Sequence, residues 1–344
     1  MIRLPRFTYH APRTLAEVAS RLADAPGETM LLAGGTDLVP NMKRRQQVPR
    51  VVVGLKRVEG LRGIRNGTGF TIGAGTTLTD LVRDDRVRAG CPGLWQAAAQ
   101  VATPHLRNSA TIGGNLCLDT RCTYYDQSYE WRQAIDFCMK KDGETCWVAT
   151  SSPKCLAVSS TDTAPMLQAL GATVRLVSAS GERTVEVADL YRNDGMAYLT
   201  RRPDEVLADV AVPPQDGWRS AYWKLRRRGS FDFPVASAAV AARIDPEGRV
   251  EQIRIVLGAV ASRPMASPAA EALIEGEVLG DDLIARAADV ASGVAKPMDN
   301  TDYELVWRKK MVRALIGYAL RDVRGDDTGP LRRALARQSL LDVR

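Results

Sequence analysis

Two Gly-Gly turns constrain the fold of this chain more than any other feature. The first lies in LLAGGTDL (residues 31–38), where an apolar strand runs directly into the glycines, and the second lies in SATIGGNL (residues 109–116). Paired glycines let the backbone approach an anion closely and direct successive N–H groups toward it. Neither turn has the spacing of a Rossmann fingerprint or a P-loop. The sequence therefore predicts a dinucleotide-binding fold of another kind, with both turns holding the pyrophosphate.

The first 60 residues indicate a compact α/β unit, and a glycine-punctuated region of strands and helices follows it. Thr14 and Glu17 have the spacing of a capping box ahead of a helical pattern. The other expected elements are strands at 30–33, 51–55 and 69–75, helices at about 78–84 and 94–102, a polar loop at 103–115, a helix at 161–172 and a hairpin near 173–187.

A separate C-terminal domain is expected at residues 217–324, because the turn-rich stretch PPQDG at 213–217 marks a boundary. Three alternating runs after it predict a meander of three strands. Helices are expected at about 267–275, 280–293 and 302–321, the last introduced by Thr301 and Glu304 at capping-box spacing, and residues 325–344 form a charged tail.

Composition excludes several classes of function. Only two histidines occur, His10 and His105, which argues against zinc hydrolases and multi-histidine metal centres. The net charge of +7 lies in short local runs without interleaved aromatic residues, so we expect no nucleic-acid binding. No apolar run is long enough to span a membrane, and the N-terminus lacks the apolar region of a secretory signal. A cytoplasmic protein that does not bind membranes is therefore expected.

Cysteine is concentrated in one short segment. Of the six cysteines, Cys117, Cys122, Cys138, Cys146 and Cys155 all lie between residues 117 and 155. Four thiolates suit either a structural zinc or a 4Fe-4S cluster, and the spacing matches no short ferredoxin or zinc-finger pattern. Disulfides are disfavoured in a cytoplasmic chain. The residues alone leave zinc and cluster open.

Four motifs in order carry a family resemblance: AGGTD, TIGGN, SSTDTAPMLQALGA and YWKLRRRG. With them the chain resembles the flavin-binding medium subunits of the xanthine dehydrogenase and carbon monoxide dehydrogenase family of molybdenum hydroxylases, over about residues 1–320. The resemblance implies an α+β protein. Its FAD-binding fold would be of the vanillyl-alcohol-oxidase (PCMH) type. Two α/β subdomains, residues 1–56 and 57–216, would be followed by a C-terminal three-stranded sheet with a helical bundle.

The same resemblance implies the residues that contact FAD. The pyrophosphate and neighbouring atoms would be held by Leu31, Leu32, Ala33, Gly34, Gly35, Thr36, Asp37 and Leu38 together with Ala110, Thr111, Ile112, Gly113, Gly114 and Asn115. Asp162, Leu207 and Lys224 would lie near the isoalloxazine ring, with a solvated strand residue as the alternative for Lys224. His105 is expected to be an ordinary loop histidine, the alternative being a contact or covalent bond to FAD.

The cysteine segment, an insert at residues 117–156, departs from most of that family. It resembles the extra loop in flavin subunits of the 4-hydroxybenzoyl-CoA reductase branch, which implies a 4Fe-4S cluster bound by Cys122, Cys138, Cys146 and Cys155. Cys117 would be a spare thiol near the flavin turn. Cys91, in AGCPG, is expected to be a small buried residue or a loop thiol.

The resemblance implies an oxidoreductase subunit that transfers electrons and has no catalytic residue of its own. Electrons from ferredoxin would pass through the 4Fe-4S cluster and FAD to a 2Fe-2S small subunit and a molybdopterin-containing large subunit, in a dimer of heterotrimers. The complex would dehydroxylate 4-hydroxybenzoyl-CoA to benzoyl-CoA in anaerobic aromatic degradation. The alternatives are a flavin subunit of an aldehyde, nicotinate or xanthine dehydrogenase, a subunit with a structural zinc, and a stand-alone flavin reductase.

Overall fold

In the computed structural model, which describes residues 3–229 and 231–341, the chain begins with a small parallel sheet. Its elements are β1 (Thr8–His10), α1 (Leu15–Asp24), β2 (Thr29–Leu32), α2 (Leu38–Lys43) and β3 (Val51–Gly54). The strands lie in the order β1-β3-β2, and the first Gly-Gly turn joins the carboxyl end of β2 to α2. Thr14 begins α1 as predicted, because its hydroxyl accepts a hydrogen bond from the Glu17 N–H at 3.2 Å. His10 lies in the first strand.

The second subdomain is built on a five-stranded sheet with the order β4-β5-β8-β6-β7. Its strands are β4 (Ile64–Asn66), β5 (Phe70–Gly73), β6 (Thr173–Ser178), β7 (Gly181–Glu186) and β8 (Val206–Val212). Its helices are α3 (Leu78–Arg83), α4 (Asp85–Gly90), α5 (Pro92–Ala99), α6 (Pro104–Arg107), α7 (Ile112–Leu116), α8 (Tyr129–Ala134), α9 (Thr163–Ala169) and a 3-10 helix (Val187–Leu190).

The polar loop predicted at 103–115 is wrong. Two short helices occupy most of it, α6 and the first part of α7. Each begins at a threonine whose hydroxyl accepts a backbone N–H: Thr103 from Leu106 at 3.4 Å and Thr111 from Gly114 at 3.1 Å. Side-chain capping therefore supports helical turns in a segment too short and too polar to show a helical period.

The C-terminal domain packs a sheet against helices. Its strands are β9 (Trp218–Leu225), β10 (Ala236–Ile244), β11 (Val250–Gly258) and β12 (Met265–Ala266), in the antiparallel order β12-β11-β10-β9. The three predicted strands are present, and the two-residue β12 adds a short fourth. The helices are α10 (Pro268–Ile274), α11 (Asp281–Ser292), α12 (Leu305–Arg324) and α13 (Gly329–Leu341).

Two details at the C-terminal end differ from the sequence analysis. Thr301 does not cap α12: the helix begins after Glu304, which makes no side-chain capping bond. The segment expected to be a charged tail contains α13, which follows the left-handed Gly325 at φ 107°. Residues 342–344 of that segment lie outside the described chain. No helix among the described residues is long and apolar enough to cross a membrane.

Both faces of the C-terminal sheet are buried. One face packs on α10 and α12 through residues such as Trp223, Val240 and Ile316, and α11 packs on these two helices. The other face, which includes Tyr222 and Ala239, joins the core of the second subdomain through α5 and α9. This second contact brings β9 against the segment that precedes α9, and it positions the site described next.

Candidate functional site

The two Gly-Gly turns, far apart in the sequence, touch in the structure. A Cβ atom on Gly34 would lie 2.0 Å from the Ser109 carbonyl oxygen and 3.0 Å from the Ala110 nitrogen, so only glycine fits there. Gly35 has φ +72°, a left-handed conformation that L side chains rarely adopt. Close approach at Gly34 and the reversed backbone at Gly35 explain why this strand must end in two glycines.

The first turn presents free backbone donors. Among the described residues, the N–H groups of Gly34, Gly35, Thr36 and Asp37 have no hydrogen-bond acceptor in the protein. Successive unpaired N–H groups form a concave site that favours an anion. The residues present therefore fit the pyrophosphate of a dinucleotide such as FAD.

The second turn is constructed differently. Ile112 N–H donates to the Thr76 carbonyl at 3.0 Å, Gly113 N–H to the Ala74 carbonyl at 2.9 Å, and Gly114 N–H to the Thr111 hydroxyl. A Cβ atom on Gly113 would lie 2.7 Å from the Ala74 Cβ. These glycines thus let α7 pack tightly on the second subdomain, and their amides are already paired within the protein.

Asn115, at the end of the second turn, organises the segment before α9. Its Oδ1 accepts hydrogen bonds from Thr161 Oγ1 at 2.8 Å, from Thr163 Oγ1 at 2.6 Å and from Thr163 N–H at 3.1 Å. The amide oxygen therefore holds the residues on both sides of Asp162. This links the second turn to the predicted flavin-contacting aspartate.

Asp162 and Lys224 form a buried ion pair. Lys224 Nζ donates to Asp162 Oδ2 at 3.0 Å and to the Gln100 carbonyl oxygen at 2.9 Å, while the Tyr222 hydroxyl donates to Asp162 Oδ1 at 2.8 Å. Burial raises the pKa of Asp162 and lowers the pKa of Lys224, and the charge of each partner opposes the shift of the other. Lys224 is thus not a solvated strand residue, the alternative that its sequence had left open.

Three other residues that the sequence analysis discussed are Leu207, His105 and Cys91. Leu207 is buried in β8 within the core of the second subdomain. His105 is exposed on α6, so its assignment to a loop is wrong for the same reason as the rest of that segment. Cys91 is fully buried beside the N-terminus of α5, which confirms a small buried residue, and burial raises its pKa to about 12.

Four cysteines of the insert surround one small cavity. Cys122, Cys138, Cys146 and Cys155 are buried, unbonded to one another and line the same enclosed space. Burial raises the pKa of Cys122 to about 12 and that of Cys155 to about 11. Cys117 is not among the lining residues and packs against the core of the second subdomain.

The donor set of this cavity fits a thiolate-bound metal centre, although the cavity is narrow. Its volume is about 10 Å³, and no three or more His, Cys, Asp or Glu side chains in the described chain are arranged to hold a metal ion. A space of that size accommodates about one water molecule.

Arg121 joins the base of the insert to the first turn, and sequence analysis missed it. Its guanidinium donates to the Asp37 carboxylate, to Asn41 Oδ1 at 3.3 Å and to Asp126 Oδ1 at 3.3 Å, and it lies 4.6 Å from the centre of the Phe233 ring. No spacing rule connects these positions. Tyr222 was also missed, although strand alternation places it on the same face as Lys224.

Comparison with known proteins gives consistent matches over nearly the whole chain. Residues 5–215 match the family "FAD binding domain in molybdopterin dehydrogenase", and residues 220–323 match "CO dehydrogenase flavoprotein C-terminal domain". The aldehyde oxidoreductase FAD-binding subunit PaoB of Escherichia coli is 32% identical over 84% of this chain and 93% of its own length. The carbon monoxide dehydrogenase medium chain of Hydrogenophaga pseudoflava is 29% identical over 92% of this chain and 97% of its own.

Solved structures show the same similarity. A chain in the crystal structure of the Cu,Mo-CO dehydrogenase has a TM-score of 0.77 at 26% identity, covering 94% of this chain and 99% of that one. A chain of carbon monoxide dehydrogenase from Hydrogenophaga pseudoflava has a TM-score of 0.76 at 28% identity, covering 93% of this chain and 98% of that one.

Proposed function

Because the chain belongs to the FAD-binding medium subunits of the xanthine dehydrogenase and carbon monoxide dehydrogenase family of molybdenum hydroxylases, we propose that it is the electron-transfer subunit of a 4-hydroxybenzoyl-CoA reductase, carrying FAD and a 4Fe-4S cluster. The observation that carries this proposal is the cavity lined by four buried cysteines. The insert that forms it is bonded to the first Gly-Gly turn through Arg121 and Asp37. A redox centre there would lie beside the flavin-binding subdomains.

For FAD, the protein supplies donors, shape and charge. The segment from Leu31 to Leu38 would hold the pyrophosphate through its unpaired N–H groups, and the segment from Ala110 to Asn115 would pack against the same atoms. Asp162, Leu207 and Lys224 would lie near the isoalloxazine ring. Bound FAD exchanges electrons both singly and in pairs, which suits a subunit placed between one-electron carriers and a two-electron reaction.

For the cluster, the proposed ligands are Cys122, Cys138, Cys146 and Cys155. Burial raises the pKa of Cys122 and Cys155, so metal binding must displace protons that are difficult to remove from these two thiols. A structural zinc with the same four ligands is the alternative. Position favours the redox centre, since the insert is bonded to the flavin turns rather than to a remote surface.

The proposed assembly follows from the family. The partners would be a molybdopterin-containing large subunit and a 2Fe-2S small subunit, in a cytoplasmic dimer of heterotrimers with ferredoxin as the donor. The net charge of +7 is consistent with docking on an acidic ferredoxin. The substrate would bind on the large subunit.

A second candidate keeps the fold and changes the substrate. The 32% identity with an aldehyde oxidoreductase subunit favours an aldehyde dehydrogenase complex in which this chain serves the opposite direction of electron flow. Activity of the complete complex separates the two. Reduction of 4-hydroxybenzoyl-CoA by a low-potential donor supports the first proposal, whereas aldehyde oxidation without that activity supports the second.

The cofactors are tested by analysis of the protein purified without oxygen. We expect one releasable FAD with about four irons and four sulfides for each chain. In Cys138→Ser, iron should fall sharply while FAD stays bound. Cys117→Ser, which changes a thiol outside the cavity, is the matched control and should retain both. One zinc for each chain in place of iron would refute the cluster.

A further inference from the structure

Lys140 is a buried lysine within the cysteine insert. Its side chain is only 6% exposed, and its Nζ lies 2.8 Å from Asp119 Oδ1, 2.7 Å from Thr120 Oγ1 and 2.7 Å from the Gly195 carbonyl oxygen. An ammonium group has three donors. Each of them has an acceptor here, so the position of the charge is fixed.

Two aromatic rings enclose the same ammonium group. Nζ lies 5.0 Å from the centre of the Tyr125 ring and 5.5 Å from the centre of the Tyr198 ring. Ring faces attract a cation, and they do so more strongly when water is excluded. The ammonium group of Lys140 is therefore held in place by several groups that converge from different segments.

This charge lies at the four-cysteine cavity. Lys140 is one of the residues that line it, whereas its carboxylate partner Asp119 is not. Tyr125, whose ring centre lies 5.0 Å from Nζ, also lines the cavity, so the ammonium group lies close to the space that the four cysteines surround.

The same lysine fastens the cavity to the second flavin-binding subdomain. Gly195, whose carbonyl it contacts, donates its own N–H to the Cys155 carbonyl at 2.8 Å. A Cβ atom on Gly195 would lie 2.6 Å from the Ala157 nitrogen, so the backbones approach as closely as glycine permits. Lys140 therefore bonds to the segment that touches a proposed ligand.

We propose that Lys140 is a positioning residue that fixes a positive charge beside the four-cysteine centre and thereby raises its reduction potential. The inference rests on the proposed function, because it requires a redox-active centre at these cysteines. Reduction adds negative charge to such a centre, and a fixed cation stabilises the reduced state more than the oxidised state. The effect is large where the surroundings are buried, and local charge is one of the factors that set cluster potentials.

The test is a redox titration of the complex that contains the full chain, purified without oxygen and followed by the electron paramagnetic resonance signal of the cluster. Lys140→Met should shift the midpoint potential of the cluster to more negative values, with the iron content retained and the midpoint potential of FAD unchanged. Lys140→Arg, which keeps the charge, should leave the midpoint potential of the cluster close to the wild-type value. Lys141→Met is the matched control, since this neighbouring lysine is 32% exposed and pairs with Asp142.

An unchanged cluster potential in Lys140→Met with full iron would overturn the inference, as would an equal shift in Lys141→Met. If Lys140→Met loses iron, Lys140→Gln takes its place, because it removes the charge and keeps hydrogen-bonding atoms. A lower potential in Lys140→Gln supports the inference, and an unchanged one refutes it. Iron analysis of the wild-type complex is made first. Absence of iron there refutes the proposed function, whereas a cluster whose potential does not depend on Lys140 refutes only this inference.

Discussion

Removal of Lys224 should strongly destabilise the protein, because it leaves a buried carboxylate without its cation. In Lys224→Met, Asp162 retains the Tyr222 hydroxyl as a donor, and the Gln100 carbonyl loses the lysine Nζ. Hydrogen bonds to charged groups contribute about 1.5 to 3 kcal/mol each. Breaking a buried pair by removing one partner costs about 3 to 5 kcal/mol. We therefore expect Lys224→Met to lower the free energy of unfolding by about 3 to 5 kcal/mol.

A double-mutant cycle isolates the pair itself. Asp162→Asn removes the carboxylate charge, and the double variant with Lys224→Met leaves neither charge buried. Because residues in contact couple, we expect the double variant to recover about 2 kcal/mol relative to the sum of the single losses. Urea unfolding of the purified chain, followed by circular dichroism, measures the free energy of unfolding of the wild type, the two single variants and the double variant. Lys310→Met, at an exposed position on α12, is the control and should change stability little.

The pH dependence gives a second measurement on the same variant. Burial raises the pKa of Asp162 in the folded state, so its contribution to stability is present below the unfolded pKa and is lost as pH rises through the folded pKa. In Lys224→Met the pKa of Asp162 rises further, because the positive charge that opposed the effect of burial is gone. The destabilisation of Lys224→Met should therefore be smaller at pH 5 than at pH 8. Additive single losses, or a destabilisation independent of pH, would refute the pairing argument.

Two further changes test the turns and the C-terminal domain. Gly34→Ala should abolish stable FAD binding, because its Cβ would lie 2.0 Å from the Ser109 carbonyl oxygen. Flavin release on gel filtration measures the loss. Retention of stoichiometric FAD would contradict the close approach of the two turns. Arg308→Met should lower the free energy of unfolding by about 3 kcal/mol or more. The fully buried guanidinium donates to the carbonyls of Val235, Met298 and Ala259. Leaving such acceptors unpaired costs about 1 to 3 kcal/mol each. A loss below about 1 kcal/mol would contradict that role.

Local elements could be predicted where the signal lies within a few residues. The capping of α1 by Thr14 and the strand that leads into the first turn both depend on neighbours in the sequence. Prediction failed where a short segment takes its helical form from one hydroxyl, as at Thr103. It also failed at the start of α12, where the spacing of a capping box was present without the bond.

The candidate site divides in the same way. The Gly-Gly turns and the four clustered cysteines were visible as patterns, because glycine and cysteine have special chemistry that composition and spacing reveal. Arg121 and Lys140 carried no such signal. Each acts through partners on separate segments, such as Asp37 for the first and Gly195 for the second, and only folding brings those partners within reach.

By itself, the sequence determined the kind of protein: the two glycine turns, the order of the motifs, the succession of strands and helices, and the presence of four thiols in one insert. These features depend on residue type and on contacts between near neighbours. The tertiary structure decided that the turns touch, that only the first keeps its amides free, and that Asp162 meets Lys224 from another domain. Such contacts join segments from distant parts of the chain, and their charges interact strongly because the fold removes them from water.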